Sequence, residues 1–383
     1  MTHIQKRVVL HFPGFEPLDA TAHRARYERS ARQSAKVWNY EVEVGALTPF
    51  DSAPFFDVAA RSDKWQTLSR VHVIDHNEMV RALNSRPLAR RLVFGYLAAL
   101  RVAGSGGLIG YFRHAWRFGL FFIFPFLLTL VGLLLSALIA VAPHEAGFGW
   151  WPLIVSLPLG MLFFTYVFRT QAERLHTLHL FSDWEMAVAM AGLDRLDAQA
   201  FVDRCTAGAR LAFQEPADEY VVSSHSMGSS VAAQVIGQLL EREPDLFAGK
   251  TISFVTLGSA ILQCALLNNA AALRTRVGLI AASKEIFWID VHCLTDAIHF
   301  YKAKVVEICG HGALKQANIV FIRFKTMLTA PHYKKIRRDF LRVHRQYVLG
   351  PDTKSSFDFT LITAGPLPAA DFINFTQNRL PVF

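Results

Sequence analysis

Between Arg117 and Arg169 the chain has no lysine or arginine, and two apolar stretches, residues 118–142 and 150–168, fill most of that interval. Each approaches the ~20 residues that a helix needs to cross a bilayer core. The turn between them, residues 143–149, contains Pro143, Gly147, Gly149 and a single charge, Glu145. Trp150 and Trp151 suit the aromatic belt at a membrane interface. Arg113, Arg117, Arg169 and Arg174 flank the outer ends of the pair, and the turn carries no basic residue. By the positive-inside rule this predicts a two-pass hairpin with both flanking segments in the cytoplasm. Any fold for this chain must therefore grow around a lipid-embedded insertion.

Composition agrees. Of the 383 residues, 52% are hydrophobic, above the usual range for soluble domains. The net charge of +9 suits an anionic membrane surface or a nucleic acid. No zinc-finger spacing or RNA-binding signature accompanies it, so membrane lipid is the predicted partner and nucleic acid is not. Cys205, Cys264, Cys293 and Cys309 form no CxxC pair and sit in apolar surroundings. They read as reduced core residues of a cytosolic compartment. The first residues lead straight into a strand, so no cleaved signal peptide is expected.

On either side of the hairpin, strand and helix patterns alternate. Val8-Val9-Leu10-His11-Phe12 is an apolar strand closing on Pro13-Gly14-Phe15, followed by a basic helical stretch over residues 18–37. Residues 40–44 alternate as a half-buried strand, and residues 70–74 form another short strand. Residues 83–117 mix arginines with apolar runs, as an amphipathic helix at a membrane surface does, with a hinge at Gly104-Ser105-Gly106-Gly107. Residues 180–213 read as one long helix. Strands follow at 219–223, 251–257, 286–293 and 318–324. Such alternation predicts an α/β fold with a mostly parallel sheet. The predicted organisation is residues 1–82 and 176–383 as two parts of one α/β domain, with residues 83–175 as the insertion.

The chemistry concentrates at Val222-Ser223-Ser224-His225-Ser226-Met227-Gly228. A strand, a cramped turn and a small-residue helix start form the small-x-Ser-x-Gly nucleophile elbow, which lifts a serine hydroxyl above the sheet. The serine is Ser226, and Ser224 stands where glycine is more usual. A serine hydroxyl needs a base to take its proton, and the base needs an acid to orient it. In chain order after Ser226 come Asp296, just past a strand, and histidines beyond the last strand. Asp290, inside that strand, is the alternative acid, because groups outside the carboxyl ends of strands are the better placed. His344 and His332 are the candidate bases, and His311 precedes the last strand. His225 is expected to pack against the sheet.

On these residues the sequence resembles the α/β-hydrolases, and within them a bacterial group with a hydrophobic hairpin inside the fold. The resemblance covers residues 8–15 and then 180–366. It rests on the elbow, Val255-Thr256-Leu257-Gly258-Ser259, Trp288-Ile289-Asp290-Val291 with Asp296, and Arg338-Asp339-Phe340-Leu341-Arg342-Val343-His344-Arg345-Gln346-Tyr347. It implies an α/β-hydrolase-like sheet, a Ser226–Asp296–His344 triad and an oxyanion hole from the backbone N–H groups of Met227 and Phe15. His344 is preferred over His332 on that resemblance. No cofactor or metal is implied. The expected activity is hydrolysis of an ester, of a lipid or another acylated amphiphile, through an acyl-serine intermediate at the inner membrane, with both termini cytoplasmic. A catalytically inactive membrane scaffold on the same fold is the alternative. The basic run Lys334-Lys335-Ile336-Arg337-Arg338 reads either as a solvated helix face or as a surface resting on anionic lipid.

Overall fold

The computed structural model describes residues 3–51 and 53–383. Eight strands form one sheet in the order β2-β3-β4-β1-β5-β6-β7-β8. They are β1 (Lys6–Phe12), β2 (Glu41–Val44), β3 (Phe55–Arg61), β4 (Gln66–Val73), β5 (Glu219–His225), β6 (Ile252–Leu257), β7 (Ile286–Cys293) and β8 (Asn318–Ile322). Only β3 runs antiparallel to its neighbours; every other adjacent pair is parallel. The fold is therefore α/β with a mostly parallel sheet, as the alternation of patterns predicts. The sequence reading passed over β3, although Phe56, Val58 and Ala60 alternate inward along it. Its short run beside Pro54 carries too few large apolar residues to stand out.

The α-helices up to residue 282 are α1 (Ala20–Trp38), α2 (Asn77–Asn84), α3 (Leu88–Gly104), α4 (Gly107–Pro143), α5 (Leu153–Leu162), α6 (Arg169–Glu173), α7 (Thr177–Gly192), α8 (Leu196–Gln214), α9 (Met227–Arg242), α10 (Ile261–Ala265) and α11 (Ala271–Ala282), and shorter ones follow. Central strands bury both faces, which is why they read as continuous apolar runs. Val8, Leu10, Phe12, Val222 and Phe254 face an apolar cluster shared with α4 and α7 to α11. Val9, Val221, Val255 and Ile289 face the opposite cluster, under α1 and the helix Phe359–Ala364. The stretch expected to be one helix over 180–213 is two. Leu193 takes a left-handed φ of 49° and turns the chain back, so that α7 lies on α3 while α8 lies on α9.

The insertion leaves the sheet between β4 and β5. Ser105 and Gly106 part α3 from α4, with Gly106 at φ 81°, where the glycine run predicted a hinge. Two helical stretches, Gly107–Phe148 and Leu153–Glu173, are long and apolar enough to cross a membrane. A kink at Ala115 (φ −157°, ψ 79°) separates the first two turns of α4 from its long apolar part. The two stretches pack closely. A Cβ on Gly160 would lie 2.5 Å from the Ser136 carbonyl oxygen, and Ser156 Oγ donates to the Ala140 carbonyl at 2.7 Å. Leu127, Leu130, Leu134 and Leu138 of α4, and Ile154, Met161 and Val167 opposite, project outward and are exposed. So broad an apolar surface on a water-soluble molecule marks an interface. The start of the apolar run behaves differently. Phe118, Phe122 and Phe126 are buried against Trp184, Phe181 and Phe300 of the α/β domain.

The sheet centre is pinned by a fully buried ion pair. Arg7 of β1 donates from Nε to Glu219 Oε2 of β5 at 2.7 Å, and its terminal nitrogens donate to the carbonyls of Gly365 (2.8 Å) and Leu367 (2.7 Å). Glu219 Oε1 accepts from Ser253 Oγ at 3.2 Å and Ala369 N at 2.8 Å. Every strong donor and acceptor is used, so removing one partner strands a charge. Arg7→Ala is expected to destabilise the protein by about 3–5 kcal/mol. A free energy of unfolding, measured by chemical denaturation, that falls by less than a quarter of that would show that Glu219 finds compensation elsewhere.

Candidate active site

The chain starts in the middle of the sheet, builds β2 to β4 on one side, and returns to build β5 to β8 on the other. Loops leaving β1 and β5 therefore diverge and open a crevice at the carboxyl ends of those strands, where ligands gather in open α/β sheets. Phe12 pairs with Ser224 in register, so the Pro13-Gly14-Phe15 loop and the turn at Ser226 emerge together. Ser226 has φ 53° and ψ −126°, a conformation that costs about 1–3 kcal/mol for a residue with a Cβ. Its N–H donates to the Leu257 carbonyl at 3.1 Å, and its carbonyl accepts from Ser229 N at 2.9 Å and Ala260 N at 3.2 Å. The strain is held by backbone on both sides. At Gly228 a Cβ would lie 2.2 Å from the Phe12 carbonyl oxygen and 2.3 Å from that of Pro13. Only glycine allows α9 to start so close to β1. Ser224 fits because its hydroxyl, wholly buried, donates to Ser229 Oγ at 3.2 Å.

Asp296 lies on the loop beyond β7, and His344 ends the short helix Phe340–His344 beyond β8. His344 Nδ1 meets Asp296 Oδ2 at 2.8 Å, with both side chains buried. Asp296 Oδ1 accepts from Ile298 N at 2.9 Å. His299 Nδ1 lies 3.2 Å from the same Oδ2, but outside hydrogen-bonding geometry. Burial pushes the Asp296 carboxyl upward, and the imidazoles of His344 and His299 overcome it, holding the group far below the ordinary carboxylate range. Gly258 (φ 52°) backs the pair: a Cβ there would crowd Tyr347 at 2.6 Å, His344 at 3.0 Å and Asp296 at 3.2 Å.

Ser226 and His344 line the same small cavity, of about 40 Å³. His344 Nε2 is buried and bonded to nothing, Ser226 Oγ included. The ring therefore has Nδ1 fixed on Asp296 and Nε2 without a partner. Hydrogen bonds of this type are often long or unformed before substrate binds. Larger clefts, lined by Arg86 and Glu185 (about 230 and 510 Å³) or by Ser253 and Lys284 (about 710 Å³), contain no imidazole.

The alternative residues go elsewhere. Asp290 stays within the sheet, accepting from Thr256 Oγ1 at 2.7 Å and pairing with His292 Nε2 at 2.8 Å. His332 is partly exposed and pairs with Asp352 at 2.9 Å, and His311 bonds the Arg274 carbonyl at 2.9 Å. His225 packs its ring 4.6 Å from that of His344, with Nε2 on the His344 carbonyl at 3.0 Å. Of the two expected oxyanion donors, the Met227 N–H opens α9 and so has no intrahelical acceptor. Phe15 borders the cavity, its carbonyl held by His179 Nε2 at 3.0 Å. Gly14 closes the loop onto the elbow: a Cβ there would lie 3.3 Å from Ser226 Cβ.

Three contributors escaped the sequence reading. Glu16, beside the cavity, is clasped by Arg26 (2.6 Å) and Arg345 (2.5 Å). Burial works to raise its carboxyl, and the two guanidinium groups bring it down to about 2. Phe121 of α4 also borders the cavity, so the apolar hairpin supplies part of its wall. Asp183 of α7 is the third. Burial raises its carboxyl to about 6, against a hydrogen bond from Gln263 and the nearby His344. A carboxylate between Phe181 and Trp184 was the available signal, though the neighbouring Glu185 and Ser182 disguise it as part of a polar helix face. Compared with protein-family models, with curated proteins and with solved structures, the chain matches none of them.

Two expectations follow. Gly228→Ala should force α9 away from β1 and displace Ser226, abolishing any reactivity of its hydroxyl. A variant that keeps wild-type labelling by an active-site phosphonylating probe would contradict the close approach. The second concerns acid stability. Burial lowers His23, His76 and His179 from 6.5 to about 4, and His225 to about 3. Between pH 6.5 and 4 the unfolded chain therefore binds protons that the folded one refuses, so stability rises with pH there. Each such group contributes up to about 1.4 kcal/mol per pH unit. Denaturation free energies measured from pH 7 to pH 4 should fall steadily; a flat profile would mean that these rings are not buried as neutral imidazoles.

Proposed function

We propose that this chain is a membrane-anchored serine hydrolase with an α/β-hydrolase-like fold. Its hairpin spans the bilayer, and its catalytic domain and both termini lie on the cytoplasmic side of a bacterial inner membrane. The reading is carried by one observation: Ser226 sits at a strained turn and shares a cavity with the unpartnered Nε2 of His344, whose other nitrogen is fixed on Asp296. In the reaction, His344 Nε2 takes the Ser226 proton as Oγ attacks the carbonyl carbon of an ester. Asp296 holds the ring in the required tautomer and stabilises the imidazolium. The Met227 and Phe15 N–H groups receive the developing oxyanion, and loss of one such donor costs about 10²–10³ in rate. His344 then protonates the departing alcohol. Water, activated by the same ring, hydrolyses the acyl-Ser226 ester and restores the hydroxyl.

A lipid or acylated amphiphile as substrate is supported by Phe121 bordering the cavity. Phe340, at the start of the helix that ends in His344, also packs on Phe121 and Phe124. Exposed Lys334, Lys335, Arg337 and Arg338 precede that helix and suit anionic headgroups at about 1 kcal/mol each. A fluorophosphonate probe should label the wild type and leave Ser226→Ala unlabelled; equal labelling of both removes the hydrolase reading.

The second reading is a scaffold with the same fold and no chemistry. It is favoured by the absent Ser226–His344 hydrogen bond. Turnover of p-nitrophenyl esters that disappears in His344→Ala would exclude it, and turnover unaffected by that change would exclude His344 as the base.

A further inference from the structure

We propose that Asp183 is a specificity residue whose carboxylate receives a hydrogen-bond donor, a hydroxyl or a protonated amine, carried by the substrate a few bonds from its scissile carbonyl. The proposal rests on the hydrolase reading and narrows its substrate to an ester of a polyol or an amino alcohol.

Asp183 stands on α7 and borders the cavity that holds Ser226 and His344. It is 9% exposed, a depth at which a carboxylate normally has both oxygens satisfied. Only one is. Oδ2 accepts from Gln263 Nε2 at 3.0 Å, and Gln263 is itself anchored, its carbonyl accepting from Tyr111 Oη at 2.6 Å. Among the described residues Oδ1 has no protein donor, yet it is not sealed from solvent, and the residue borders the cavity. No arginine or lysine pairs with this carboxylate, whereas Glu16, at the same cavity, is neutralised by two arginines. The cavity wall also includes the apolar side chains of Phe121, Leu180, Ile298 and Leu341, beside Ser226, the imidazoles of His179, His225 and His344, and the Glu16–Arg345 pair. Of its two carboxylates, Asp183 is the one without a cationic partner.

A carboxylate placed only to tie α7 to α10 would need no free oxygen beside a serine and an imidazole. Asp183 is also close enough to His344 for the two charges to interact. Asp183, Ser226 and His344 border one cavity of about 40 Å³, so a donor bound to Asp183 would lie beside the reacting atoms. Buried acceptors discriminate strongly, because an analogue lacking the donor leaves them unpaired.

The test uses the full chain in detergent micelles and three hexanoate esters: 2-hydroxyethyl, 2-(dimethylamino)ethyl and 2-methoxyethyl. The first two carry a donor at pH 7, and the third has the same reach without one. In the wild type, kcat/KM for at least one donor ester should exceed that of the methoxyethyl ester by about ten- to a hundredfold. The better of the two identifies the donor as hydroxyl or ammonium. In Asp183→Leu the ratio should collapse toward one. Asp183→Asn, which keeps an acceptor and loses the charge, should lose the ammonium preference and keep part of a hydroxyl preference. Each ratio is internal to one protein, so a general loss of activity or of folded protein cancels. A wild-type ratio near one, or a ratio unchanged in Asp183→Leu or unchanged for both donors in Asp183→Asn, overturns the assignment. Fluorophosphonate labelling at Ser226 with no discrimination fails Asp183 alone. No labelling and no turnover of any ester fails the hydrolase reading, and the donor site with it.

Discussion

No side chain can stand at position 228, because its first carbon would meet the carbonyl oxygens of Phe12 and Pro13 well inside contact distance. That approach brings the amino end of α9 against the end of β1. Everything around the cavity is referred to it. It holds Ser226 in a left-handed φ, and the serine is partly accessible while its neighbours in β5 are buried. The strain persists because β5 is over-determined, paired on both sides by parallel strands and anchored through Glu219 to Arg7. A flexible turn would relax it.

Asp296 and His344 come from the far side of the sheet. They hang from loops beyond β7 and β8, and Gly258, at the end of β6, leaves the space in which their side chains meet. Asp296 is kept ionised in a buried place by its imidazole neighbours, so its negative charge is available to orient one ring and to stabilise its protonated form. Nδ1 of His344 is occupied by Asp296 and Nε2 has no partner among the described residues, the arrangement that the proposed reaction needs before any ligand arrives.

The hairpin is joined to this arrangement rather than appended to it. Its first apolar turns are buried under Trp184 and Phe300, and its outer length is bare hydrocarbon. Phe121 and Phe124 touch Phe340, one turn before His344. In the proposed hydrolase, the helix that delivers the base leans on the element that enters the bilayer. A substrate held by its chain in lipid would then need to travel little to present its carbonyl.

What the sequence determined by itself was whatever depends on local chemistry. Apolar length and charge asymmetry marked the two helices, since hydropathy over some twenty residues needs no partner to be read. Small residues around Ser226 marked the turn, because only small groups fit there. Chain order and position beyond a strand end pointed to Asp296 rather than Asp290. Tertiary structure alone decided the rest. The resemblance preferred His344 to His332, but that its ring reaches Asp296 across 48 residues is seen only in the fold, because no periodicity encodes such a distance. The break at Leu193, which divides α7 from α8, depends on which neighbours each half can pack against. The place of Asp183 emerged only when α7 was laid over the carboxyl ends of the strands. A carboxylate in an apolar helix is visible in a sequence, but what its free oxygen faces is a property of the folded chain.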